Sequence, residues 1–344
     1  MRQNKTSTNY NFMLEKLLLS KALRIIFILL TVSFYSCNNS TNSNNTSSYT
    51  TTVTTTTIKK NLPQVVATTS ILCDLTKQIA AKTINLTCLT SPSINPTIYQ
   101  PTPEDKQTIN QAKLIIFNGY NLEPGLEKFI LASKNPATKL PVAKIAVPTP
   151  LMITKNGQQV ADPYVWHNAR NTAKIVEVIG INLAKTIPEN AELYRSNTQK
   201  IANQLVQLDS WIKTRIGSIP QSKRTLVTTH NAMAYYVRAY GLKLAGTLRF
   251  ISPTELTSDA KVKLLANKIQ KNNVPTIFVQ STISPQLINS AAQEARVSIS
   301  QRQLFTENLG LPGTKADTYQ KMMTANTRTI VEGLEGTYLI FENK

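Results

Sequence analysis

From Leu62 onward, short apolar runs alternate with segments whose apolar residues recur at helical spacing. Gln64 to Thr68 reads as a strand, Ile71 to Ala81 as a helix, and Asn85 to Leu89 as a second strand. A Pro-rich turn follows at Pro92 and Pro96. Thr102 then stands as N-cap to a helix whose first turn holds Pro103, a ring whose fixed φ and missing N–H suit that position. Leu114 to Phe117 is uninterruptedly apolar, which predicts a strand covered on both faces. Strands alternating with helices argue for a parallel sheet.

The second half repeats this grammar. Ala169 to Thr186 is predicted helical. After Pro188 a longer helix spans Glu189 to Ile216, its apolar face carried by Tyr194, Ile201, Leu205, Leu208 and Ile212. At ~1.5 Å per residue it runs roughly 40 Å, enough to cross between two lobes. Strands at Thr225–Thr228, Lys243–Ala245 and Thr276–Val279 then alternate with helices at Ala232–Tyr240, Ser258–Lys271, Pro285–Ala295 and Lys315–Leu334. The reading is an α/β protein with two lobes around a cleft: residues 62–187, a linking helix at 188–217, and residues 218–344.

The first sixty residues follow a different logic. Arg2, Lys5, Lys16, Lys21 and Arg24 precede a short apolar stretch, Ile25 to Phe34, which is about half the ~20 residues a membrane-spanning helix needs. Residues 1–36 therefore read as an export signal. Cys37 stands where a bacterial lipoprotein is cleaved and acylated, with the small Ser36 before it. Residues 37–61 are dominated by Asn, Ser and Thr, too polar to pack and suited to a tether.

Composition narrows the chemistry. The 344 residues include two histidines, His167 and His230, and three cysteines, which excludes His-rich clusters and zinc ribbons. Cys73 and Cys88 either pair or serve as two small buried apolar residues. The formal charge of +19 raises nucleic acid as a partner, but the basic residues are dispersed and the export signal leads elsewhere. Removing the signal takes away five basic residues and one acidic one, leaving +15. No HExxH, GxSxG or phosphate-binding loop is present, so no enzyme and no catalytic cofactor are expected.

Five ordered segments carry a family pattern: residues 65–80, 94–130, 162–179, 225–242 and 274–288. The most specific are Tyr99-Gln100-Pro101-Thr102-Pro103, the FNGYNLE run at 117–123 and Asp162-Pro163-Tyr164-Val165-Trp166. Together they resemble the substrate-binding lipoproteins of ABC transporters for manganese and zinc. The resemblance implies two Rossmann-like lobes with parallel sheets, one rigid connecting helix, and a metal ion held in the interlobe cleft by four side chains. Carried over position by position, those four fall on Thr97, Tyr164, His230 and Glu307. The first two positions are usually histidine in the family, and the last is usually aspartate.

Each position has a structural alternative. His230 follows a strand and can present a neutral imidazole to manganese, zinc or iron, or cap its own helix. Glu307 is an anion at a strand end, a ligand or a solvated loop acid. Tyr164 ligates only as a phenolate, which with an ordinary pKa near 10 requires a hard ion such as Fe(III); otherwise it fills the space of a histidine. Thr97 is a weak oxygen donor that more often bonds within a turn. His167 is expected as a surface or capping histidine rather than a ligand. Tyr99 and Trp166 are expected to wall the cleft, and Asp162 to cap the turn before Pro163 or support a ligand.

The functional expectation is an exported, monomeric solute-binding protein, lipid-anchored at the periplasmic or outer face of the membrane. It would capture a manganese, zinc or iron-class ion and deliver it to an ABC permease. The alternative is a relative that has lost high-affinity metal binding and serves as an adhesive or structural protein or binds another ligand.

Overall fold

The computed structural model describes residues 62–155, 157–228, 232–247, 259–271, 274–280 and 285–342. The export signal, Cys37, the polar tether and His230 lie outside the described residues.

The first sheet is built from β1 (Gln64–Ala67), β2 (Asn85–Cys88), β3 (Leu114–Phe117) and β4 (Thr138–Pro141), in the order β2-β1-β3-β4, all parallel. The helices between them are α1 (Ser70–Ala80), α2 (Pro103–Gln111), α3 (Pro124–Ala132) and, after β4, α4 (Val142–Ala146). β3 is buried at every position, as its unbroken apolar run requires. Thr102 accepts from Asp105 N while the Asp105 carboxylate accepts from Thr102 N, a reciprocal capping box with Pro103 in the first turn. One feature departs from the all-parallel expectation. β5 (Met152–Lys155) and β6 (Gln158–Ala161) form an antiparallel hairpin, with Gly157 at φ +77° in the turn.

α5 (Ala169–Thr186) and α6 (Ala191–Gly217) are antiparallel neighbours in sequence and pack along each other. α6 has 27 residues, about 40 Å at 1.5 Å per residue. Elements from both halves hold it. Asn197 donates to the carbonyl of Ile79 (2.8 Å), and the Tyr194 hydroxyl pairs with Thr83 (2.7 Å). Near its other end Arg215 donates to Thr337 O, and Trp211 packs edge-on against Tyr338 and Phe341.

The second half comprises β7 (Thr225–Thr228), α7 (Ala234–Tyr240), β8 (Lys243–Thr247), α8 (Asp259–Lys271), β9 (Thr276–Ile277), α9 (Pro285–Ala295), β10 (Ser298–Ile299) and α10 (Tyr319–Gly333). β7 pairs with β8 and β9 with β10, both parallel, and a parallel bridge from Thr228 to Phe278 links the two pairs. The last helix begins four residues later than its hydrophobic pattern predicts. Thr318 caps it, and residues before it turn on the bond from Gly313 N to the Asp317 carboxylate. Cys73 on α1 and Cys88 at the end of β2 form a disulfide with Cα atoms 5.7 Å apart, which resolves the two alternatives in favour of pairing.

Candidate functional site

Three loops from distant parts of the chain meet beyond the strands. The first holds residues 94–99, between β2 and α2. The second is the turn from Asp162 through the 3₁₀ segment Val165–His167. The third, residues 305–309, precedes α10.

Tyr164 is 2% exposed, its ring edge-on to Trp166 at 5.4 Å, and its N–H donates to the Asp162 carboxylate (2.9 Å). Asp162 is itself fully buried, so its cap fixes the start of the turn from inside. The Trp166 carbonyl accepts from the Tyr319 hydroxyl at the start of α10 (2.7 Å), and the ring belongs to the main core.

His167 overturns its expectation. It is neither on the surface nor a cap but fully buried, with Nε2 3.0 Å from the carbonyl oxygen of Thr306 and Nδ1 without a hydrogen-bond partner. Burial pushes its pKa down to about 4, because a charged imidazolium would lose its hydration. The imidazole is therefore neutral near pH 7 and acts as Nε2–H donor to Thr306.

Glu307 is 2% exposed, so the solvated-acid alternative fails. Thr306 Oγ1 donates to its carboxylate at 2.5 Å. The next residues lash this loop to the first half: Asn308 donates to the carbonyl of Ile94 (2.7 Å), and Leu309 N donates to Ser70 Oγ (3.1 Å). The Glu307 loop is thus fastened both to the loop of Thr97 and to the turn of Tyr164.

Thr97 follows the structural alternative. Its N–H and its hydroxyl both donate to Asn95 Oδ1, each at 2.9 Å, an Asx turn that occupies the side chain locally. Thr97 and Tyr164 nevertheless line one cavity of about 420 Å³, together with Tyr120, Asn121, Glu127 and Lys144. Tyr99 does not line it. Its hydroxyl donates to Asp105 (2.6 Å), its ring packs against the cluster of Val66, Leu89 and Ile109, and burial with the nearby carboxylate raises its pKa to about 12. Of the four expected positions, Thr97 and Tyr164 share this cavity; Glu307 does not line it, although its loop is bonded to theirs through Thr306 and Asn308, and His230 lies outside the described residues. Among the described residues no group of three or more His, Cys, Asp or Glu side chains is placed to hold a metal ion.

Sequence reasoning passed over Glu123, in the FNGYNLE run. It is fully buried, and one carboxylate oxygen accepts from Thr68 Oγ1 (2.7 Å) and Asn118 N (2.8 Å), tying the ends of β1 and β3 together. Burial raises its pKa to about 7. Its place in the FNGYNLE run, directly before Pro124 at a helix start, was the available signal.

A family model described as ZnuA, the periplasmic component A of a zinc-uptake complex, matches residues 65–333. The chain belongs to the ZnuA family. Its relatives include the manganese ABC transporter substrate-binding lipoprotein PsaA of Streptococcus mitis, 32% identical over 276 residues, covering 79% of this chain and 89% of that protein. The manganese-binding lipoprotein MntA of Bacillus subtilis is 29% identical over 277 residues, covering 79% and 90%. Among solved structures, the periplasmic zinc-binding protein TroA of Treponema pallidum superposes with a TM-score of 0.72 at 27% identity, covering 80% of this chain and 99% of TroA. A manganese-bound periplasmic metal-binding protein from Candidatus Liberibacter asiaticus gives 0.69 at 25% identity, covering 78% and 98%. ZnuA-family proteins are transport components and not catalysts, and the parallel sheets and long helix of this chain are the fold these structures share.

Proposed function

We propose that this chain is the extracytoplasmic solute-binding component of an ABC transporter, which takes up a manganese, zinc or iron-class ion and passes it to a permease. The family match over residues 65–333, spanning all three site loops, carries this reading. The ion would sit where the Tyr164 turn meets the Glu307 loop, with His230 as nitrogen donor and the buried Glu307 as the anionic one. Thr97 would stand at the edge of the site, and Tyr164 would coordinate only a hard ion such as Fe(III). Asp162 supports the site by fixing the Tyr164 turn. Affinity then comes from donor type and geometry, and no covalent step is needed.

Titration calorimetry of residues 38–344 with Mn(II), Zn(II) and Fe(III) tests the reading. Saturable binding that His230→Ala abolishes is expected, and absence of saturable binding to all three sinks it. The engagement of Thr97 by Asn95 favours a second reading, a family member without high-affinity ion binding that serves as an adhesive or structural protein. The same titration separates the two. Acylation at Cys37 would hold the protein, as a monomer, to the periplasmic or outer face of a membrane. Cys37→Ala is expected to move it from the membrane fraction to the soluble fraction.

A further inference from the structure

A second cavity, of about 1060 Å³, opens on the second half of the chain. It lies between the loop after β10 (residues 300–305), the turn at 313–316, one face of α10 and the ring of Tyr338. Sites for organic molecules generally measure ~300–1,000 Å³, so this one has room for more than a simple ion. Neither Thr97, Tyr164 nor Glu307 lines it. Its described lining carries four cations, Arg302, Lys315, Lys321 and Arg328, and no Asp or Glu. Lys321 and Arg328 stand two turns apart on one face of α10. Two carboxylates flank them: Glu332 accepts from both Arg302 Nη1 and Arg328 Nε (2.8 Å to the latter), and Asp317 accepts from Lys321 (2.8 Å). Four cations against two carboxylates leave a charge of +2. Lys315 is exposed and makes no ion pair among the described residues.

Glu332 does more than neutralise charge. It gathers two guanidinium groups onto one carboxylate, where they repel each other unless a further anion joins them. Each spends one of its five N–H groups on Glu332 and has others to offer a ligand. The Arg328 guanidinium also stacks over the Tyr338 ring at 5.2 Å, and Trp211 of α6 braces that ring edge-on. The pair is held in place before a ligand arrives, so little side-chain freedom is lost on binding. Planar guanidinium groups donate two parallel N–H bonds to the oxygens of phosphates and carboxylates. Tyr338 and Phe305 add an apolar wall that an inorganic ion would leave uncovered.

We propose that this cavity binds an organic phosphate monoester, whose charge near −2 at neutral pH matches the site and whose organic body covers Tyr338 and Phe305. The phosphate oxygens accept from Arg302 and Arg328, and Lys315 supplies the charge that no carboxylate of the protein takes up. Soluble esters and the headgroup of phosphatidic acid share this chemistry. The site stands apart from the ion reading, because no residue it uses is among the expected ion ligands.

The non-acylated chain, residues 38–344, is titrated with phenyl phosphate, with glycerol 3-phosphate and with succinate as a carboxylate dianion. It is also sedimented with phosphatidylcholine vesicles with and without phosphatidic acid. Saturable binding of a soluble ester, or of vesicles only when they hold phosphatidic acid, is expected, and the arm that responds names the source. Lys315→Ala and Arg328→Gln should each weaken that binding about 10-fold or more. Lys144→Ala, at an exposed lysine outside this cavity, should leave it unchanged. Lys315 has no ion pair to lose, so the unfolding midpoint of Lys315→Ala should not move. Binding indifferent to Lys315→Ala or to Arg328→Gln overturns the proposal, as does failure of every phosphate probe. Vesicle binding that Lys144→Ala weakens equally is unspecific attraction and overturns it too. Succinate binding as tightly as the esters overturns the phosphate assignment in favour of a general dianion site.

Discussion

The Nε2 atom of His167 lies 3.0 Å from the carbonyl oxygen of Thr306, a bond between residues 139 positions apart with both partners buried. It anchors the loop of Glu307 to the turn of Tyr164. Replacing His167 by alanine removes the donor to a buried carbonyl and opens a cavity, a loss of about 2–4 kcal/mol. Urea denaturation of the mature domain measures that loss. Hydrogen exchange locates it: amides of 305–309 should exchange faster while those of β1 and β3 stay protected. Unchanged exchange at 305–309 would mean that the Asn308 and Leu309 bonds hold the loop unaided.

Two buried groups oppose each other in their pH dependence. His167 has its pKa lowered from 6.5 to about 4, so between those values the unfolded chain takes up a proton that the folded chain refuses, and stability falls as pH falls. Glu123 has its pKa raised from 4.5 to about 7, so the unfolded chain releases a proton that the folded chain keeps, and stability falls as pH rises through that window. Between pH 4.5 and 6.5 the two slopes cancel. Glu123→Gln should expose the His167 slope, with stability increasing by on the order of 2–3 kcal/mol from pH 4.5 to 6.5. His167→Gln should reverse the slope. Urea midpoints at four pH values suffice, and parallel profiles for both variants and the parent would refute the assignment.

The Cys73–Cys88 bridge closes a loop with a sequence separation of 15, worth about 3 kcal/mol in chain entropy. Cys88 is exposed, within reach of a reductant. Dithiothreitol or a Cys73→Ser/Cys88→Ser variant should lower stability by roughly 2–4 kcal/mol. Equal urea midpoints with and without reductant would show that the crosslink contributes nothing.

Gly180 on α5 faces Thr198 on α6 so closely that an added Cβ would lie 2.0 Å from Thr198 Oγ1. Gly180→Ala must force the two helices apart, with an expected penalty of about 1–3 kcal/mol. Thr198→Ala in the same chain should recover part of it, because the nearest clashing atom is gone. A double-mutant cycle with no coupling would contradict the close approach.

Local patterns were legible wherever one face or one cap decided the outcome. Leu114–Phe117, Ala169–Thr186, Thr225–Thr228 and Pro285–Ala295 appear with the predicted bounds. Thr102 with Pro103 opened its helix as their side chains dictate. The hairpin at Met152–Ala161 was missed although Asn156-Gly157 is a turn signal, because the apolar residues on either side are few. The site was less readable. Ser70, Ile94 and His167 bury and fasten the Glu307 loop from more than 130 positions away, and nothing near Glu307 announces them. His167 was misread because its helix-start neighbour Asn168 supplies the cap itself, freeing the imidazole to point inward.

The grip on α6 bears on how cargo leaves. Tyr194 and Asn197 pin one end, Trp211 and Arg215 the other, and Thr198 on its flank closely meets Gly180 on α5. A rod clamped along its length stores little elastic work, so it cannot act as a spring that throws the halves open. If the chain carries cargo as proposed, the joints left to open between its loops are the hydrogen bonds of Thr306, Asn308 and Leu309. Under that reading those bonds, rather than the helix, would limit delivery, and a permease would act on them.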